Sequence, residues 1–145
     1  MHSRSSLLDT GRSIVVLRVV LSIIFLAHAI TRIVLNTIPV FGGFLESKGF
    51  PMGNLIVCGI TIFEITGGIL LMFGIFQKWI SIGLIFMLLT GIVLIHFQLG
   101  WFNGEFGTGG CEYSVTLIAA LIVVASAAPV TASKKDGSSR ETSTQ

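Results

Sequence analysis

The chain has 145 residues, 52% of them hydrophobic and 11% charged, with a formal net charge of +2. A soluble domain of this length cannot bury so much apolar surface, so lipid is the expected solvent for most of the chain, in one multi-span membrane domain. The small net charge, with no basic face interleaved with aromatics, argues against a nucleic-acid partner.

A lipid-embedded helix needs roughly 20 apolar residues, because each residue rises about 1.5 Å and the hydrocarbon layer is about 30 Å thick. Four stretches meet that length and predict an all-α, integral membrane bundle of four transmembrane helices, at about 14–36, 54–76, 79–97 and 112–130. Residues 1–13 form an N-terminal segment before the first span. That span begins behind a basic start and carries "AHA" (Ala27–Ala29), which resembles a signal-peptide cleavage site. Arg18 interrupts the apolar run and "ITRIVL" continues it past the site, which favours a retained helix. The connectors are "TIPVFGGFLESKGFPM" (37–52), the tight "FQKW" and the Gly-rich "QLGWFNGEFGTGG" (98–110). After Pro129 the polar, Ser/Thr-rich stretch 131–145 reads as a disordered tail.

Arg4, Arg12, Lys78, Lys134, Lys135 and Arg140 flank one side of the four spans, whereas the opposite loops hold only Lys48. The positive-inside rule therefore predicts that both termini are cytoplasmic, as in a multi-pass protein of the cell (inner) membrane. Trp79 and Trp101 bracket the third span, as the two aromatic belts of a bilayer would.

Charged side chains inside a span cost roughly 2.5–3.5 kcal/mol each on insertion scales, so they are expected to face a partner or a cavity. In the first helix His28 and Arg32 lie about 40° apart on the wheel, with Arg18 within about 80° of both, so the three share a face. In the second, Glu64 falls with Gly67, Gly68 and Gly74 inside an arc of about 120°, and Gly59 lies about 60° beyond its edge. A strip without side chains lets another helix approach, so these four glycines are read as helix-packing positions and Glu64 as pointing into the bundle. His96 ends the third span; Glu112 and Tyr113 begin the fourth, where the helix dipole favours the carboxylate and where Gly109 and Gly110 ease the turn. Arg18, His28, Arg32, Glu64, His96, Glu112 and Tyr113 thus form a candidate intramembrane polar pocket. Ion pairs such as Arg32 with Glu112 or with Glu64 are expected.

Other readings attach to single residues. A haem between His28 and His96 rests only on two histidines on different helices. Cys58 and Cys111 could pair, but they show no C-x-x-C and no metal-ligand spacing, and lone membrane cysteines usually pack. No metal site is expected.

The ordered set of short motifs resembles the DoxX-like family of small four-helix membrane proteins over about residues 14–130. Leu17 and Arg18 match its early "LR". "HAITR" (28–32) is similar to the family's His-Gly-x-x-Lys, with Ala29 for Gly and Arg32 for Lys. "KGFP" (48–51) matches the Gly-x-Pro that ends the first outer loop. "EITGGILLMFG" (64–74) matches Glu-x-x-Gly-Gly-x-x-Leu-x-x-Gly, and His96 and "GGCEY" (109–113) match the later His and the entry to the last helix. The first-described members are subunits of complexes that oxidise sulfur compounds and pass electrons to quinone. Others associate with redox-defence enzymes, and distant relatives are chaperones or cargo receptors. Arg32 keeps the family's cation but removes any role needing a neutral amine.

The leading expectation is therefore a subunit of a quinone-linked membrane redox system. Such a site needs an apolar slot, donors for ring carbonyls and a group that exchanges protons. No redox cofactor motif occurs in the chain, so none is expected to be intrinsic, a bound quinone is the candidate ligand, and electrons would arrive from a partner protein. The alternative is a non-catalytic chaperone, adaptor or scaffold whose glycine-lined face docks another membrane protein. A proton-coupled carrier would also use midplane carboxylates, but no inverted repeat or broken helix is visible. Four small helices make a thin bundle, which points to a homo-oligomer or a hetero-complex.

Overall fold

The computed structural model describes residues 9–95, 101 and 110–127. These form α1 (Thr10–Val34), α2 (Ile38–Ser47), α3 (Gly53–Phe73), α4 (Gln77–Leu94) and α5 (Glu112–Ser126), with no strand among the described residues. α1, α3 and α4, of 25, 21 and 18 residues, are long and apolar enough to cross a membrane. α5 is equally apolar in character but shorter, at 15 residues. The disordered tail expected over 131–145 lies outside the described residues.

The expected connector 37–52 is corrected by α2. Pro39 stands in its first turn, where its fixed φ suits a helix start and no N–H is missed. The helix then turns back through Gly49, at φ 91°, with Phe50 N–H donating to Leu45 O at 3.1 Å. This six-to-one bond and a left-handed glycine are the usual means of ending a helix. α2 can lie down on the start of α3 because glycines meet there. A side chain on Gly42 would run into the backbone of Asn54, and one on Gly53 into that of Gly42. Glu46 adds a carboxylate at the N-terminus of α3, accepting from Gly53 N–H at 3.0 Å.

Three non-glycine residues with positive φ, Asn36, Met52 and Phe76, stand at the joints before α2, α3 and α4. They set where the helices break, and α1 accordingly ends short of the expected Asn36. Residues 74–76 alone join α3 to α4, so the two run antiparallel. α3 lies between α1, α2 and α4, and α5 closes the bundle against α4 and α1. Leu21 and Phe25, Leu71, Ile80 and Leu84, and Leu117, Leu121 and Val124 form a core drawn from α1, α3, α4 and α5. Between helices in lipid such contacts hold by packing rather than by hydrophobicity, which is why small residues at the crossings matter. A methyl on Gly68 would stand 3.0 Å from Leu26 Cγ of α1, and one on Gly67 3.4 Å from Ile80 Cγ2 of α4.

Candidate functional site

Arg32 occupies the last turn of α1, where a cation complements the carbonyl end of the helix. Its Nη1 donates to Glu64 Oε2 of α3 at 2.6 Å and to Thr61 Oγ1 at 3.0 Å. Thr61 lies one turn before Glu64 on the same face, and its hydroxyl donates onward to Val57 O at 2.8 Å. From α2, the Phe41 ring centroid lies 5.8 Å from Arg32 Cζ, a cation–π distance. Glu64 is only 3% exposed, so it is the residue most dependent on its counter-charge. Of the two partners that the sequence allowed for Arg32, the structure pairs it with Glu64.

Two further groups approach from neighbouring positions. His28, one turn before Arg32 in α1, holds Nδ1 3.0 Å from Ile24 O. Its ring stacks on Tyr113 at the start of α5, with centroids 6.2 Å apart and planes 22° from parallel.

His28, Arg32, Phe41, Glu64 and Tyr113 border a cavity of about 620 Å³. Apart from His28, Arg32, Glu64, Thr90, Tyr113 and Ser114 its walls are apolar, and all five helices contribute. α2 supplies Phe41 and Leu45, α3 supplies Ile60 and Phe63, and α4 supplies Phe86, Leu94 and others. The volume falls in the roughly 300–1,000 Å³ range of small-molecule sites. The arrangement, an ion pair and two aromatic hydrogen-bonding groups at the wall of an oily chamber, suits an amphiphile with a polar head and an apolar body.

A family model described as DoxX matches residues 13–97. The chain belongs to the DoxX family. None of the curated proteins or solved structures compared matches it. The DoxX match spans α1 to α4, and with them the Arg32–Glu64 pair and most of the cavity wall, while Tyr113 lies beyond it. The DoxX assignment and the three long apolar helices make this a membrane protein.

The remaining pocket candidates of this DoxX-family chain are distributed differently. Arg18 does not border the cavity: it lies roughly 21 Å along α1 from Arg32, too far for one site. Its Nη1 donates instead to Gln77 Oε1 at 3.1 Å, and the guanidinium covers Gly74. Gln77 Nε2 donates to Val124 O and, at 3.3 Å, to Ala127 O. A neutral amide thus partners Arg18, and it serves the last carbonyls of α5 as well. Glu112 does not line the cavity either; it starts α5, with its N–H donating to Trp101 O at 3.1 Å. His96, and with it the haem alternative, lies outside the described residues.

Among the glycines expected to pack, Gly67, Gly68 and Gly74 meet Ile80, Leu26 and Arg18 of this same chain. Gly59 is corrected: nothing lies within 4 Å of where its side chain would begin, and it borders the cavity. Its place 60° outside the glycine arc carries it off the packed strip. Cys58 and Cys111 are free thiols. Sequence reading missed Thr61, Phe41 and Gln77. Only Thr61 had a signal, a polar group three residues before Glu64.

Proposed function

We propose that this DoxX-family membrane protein is a subunit of a quinone-linked redox system, holding a lipid-dissolved quinone in the cavity while a partner protein supplies electrons. The observation that carries this reading is the buried Arg32–Glu64 pair opening on an apolar chamber. Both hydrogen bonds of Arg32 leave from Nη1, which leaves Nη2 and Nε as donors for a ring carbonyl. A path for an apolar tail is supplied by α3 and α4. They touch at Gly67 with Ile80 and at Gly83, where a methyl would stand 2.6 Å from Phe63 Cζ. Further along, nothing lies within 4 Å of a side chain begun at Gly59 or Gly91, and both border the cavity. The accompanying topology is a multi-pass protein of the cell inner membrane with cytoplasmic termini.

The scaffold reading needs a glycine face open to another protein. Gly67, Gly68 and Gly74 are covered from within the chain, so that face is already taken.

The test is to purify the tagged protein from its native membrane in mild detergent and to measure co-purifying quinone and proteins by mass spectrometry. Stoichiometric quinone in the native protein and its loss in Gly59→Phe are expected, because Gly59 borders the cavity and nothing lies within 4 Å of where its side chain would begin. A membrane-protein partner with no quinone would overturn the reading.

A further inference from the structure

The hydrogen-bonding groups around the Arg32–Glu64 pair differ in what each has left to offer. Thr61 is committed in both directions, accepting from Arg32 and donating to Val57 O. Glu64, the carboxylate on the cavity wall among the described residues, is neutralised by Arg32. Arg32 can only donate. His28 is different: the atom 3.0 Å from its Nδ1 is a backbone carbonyl, Ile24 O, which can only accept. Nδ1 must therefore carry the proton, and in the neutral ring Nε2 keeps a lone pair. The stack on Tyr113 holds that ring from the α5 side, so its orientation is set by two elements.

We propose that His28 is the residue that reads the ligand's head group: its Nε2 accepts a hydrogen bond from a ring hydroxyl, so the cavity binds the quinol form in preference to the quinone. A quinone carbonyl can be served by Arg32 or by the Tyr113 hydroxyl, but it has nothing to give Nε2. A quinol hydroxyl satisfies Nε2, and its oxygen still accepts from the cationic side. The inference rests on the quinone reading above and adds the direction in which the site is biased.

The protein in lipid nanodiscs is titrated with a decyl-tailed benzoquinone and, under argon, with its quinol. The quinol is expected to bind about five-fold more tightly, which corresponds to roughly 1 kcal/mol, the size of one net hydrogen bond. In His28→Phe, which keeps a ring against Tyr113, the gap closes, chiefly through weaker quinol binding. His28→Gln, whose amide carbonyl restores an acceptor, reopens it. If His28→Phe binds neither form, His28→Leu serves as the variant lacking the acceptor. Equal affinities in the native protein, or an undiminished gap without the acceptor, would overturn the inference and leave the quinone reading standing. Failure of both forms to bind the native protein would overturn both.

Discussion

Glu64 and Arg32 depend on each other more than either contributes to the fold alone. The Arg32 side chain is 16% exposed and that of Glu64 4%, so neither can turn to water when its partner is removed. Truncating one member of a buried pair costs about 3–5 kcal/mol, because the other charge is left uncompensated, whereas replacing both by apolar residues is often near neutral. Glu64→Leu is therefore expected to lower the melting temperature in detergent sharply. The double variant Arg32→Met with Glu64→Leu should recover most of that loss, a strong coupling between neighbours. Quinone content is expected to stay low in the double variant, since the Arg32 donors are gone, and this separates the pair's role in folding from its role at the site. A double variant as unstable as Glu64→Leu would show that the pair orders the helices in a way that apolar packing does not replace.

At the level of the helices, the two polar clusters have separate tasks. The carbonyls that end a helix have no partners within it, and in an apolar setting each must find one. Gln77, at the start of α4, reaches Val124 O and Ala127 O of α5 while accepting from Arg18 of α1, so one amide ties three helices at the same end. Gln77→Leu removes these bonds without opening a gap of comparable size. Faster hydrogen exchange is expected in the last turn of α5, measured by mass spectrometry, with quinone content unchanged because the cavity lies toward the other end of the bundle. Loss of quinone in this variant would mean that the two clusters are coupled through α1.

Taken as a whole, the described residues form a bundle packed tightly at one end and hollow toward the other, with α2 laid over the start of α3. Phe41 and Leu45 put α2 on the cavity wall, and the meeting of Gly42 with the α3 backbone holds it there. A side chain at Gly42 would stand 2.7 Å from Asn54 N, and backbone cannot move aside as a flexible side chain can. Gly42→Val is expected to lift α2 from α3, separating Phe41 from Arg32. Quinone affinity should then fall at least ten-fold in nanodiscs, with a smaller loss of thermal stability, because the core residues lie in the other four helices. A variant with native affinity would show that α2 is not needed to close the site.

Hydropathy and charge placement, which are properties of single stretches, were enough to locate the long helices, to mark Glu64 as inward-facing and to name Arg32 as the cation to be neutralised. The cost of a charge in lipid and the helical period act locally, so both can be read along one chain. Which carboxylate Arg32 meets, that Arg18 meets an amide instead, and that Gly59 borders a cavity while Gly67 and Gly68 are packed depend on the rotation and axial register of one helix against another. Register is set by the crossings at Gly68 with Leu26 and Gly67 with Ile80, and by the joints at Asn36, Met52 and Phe76. α2 escaped the hydropathy reading because ten residues are too few to span a bilayer. Only its docking through Gly42 and Gly53 gives it a place, and that contact exists only in the folded molecule.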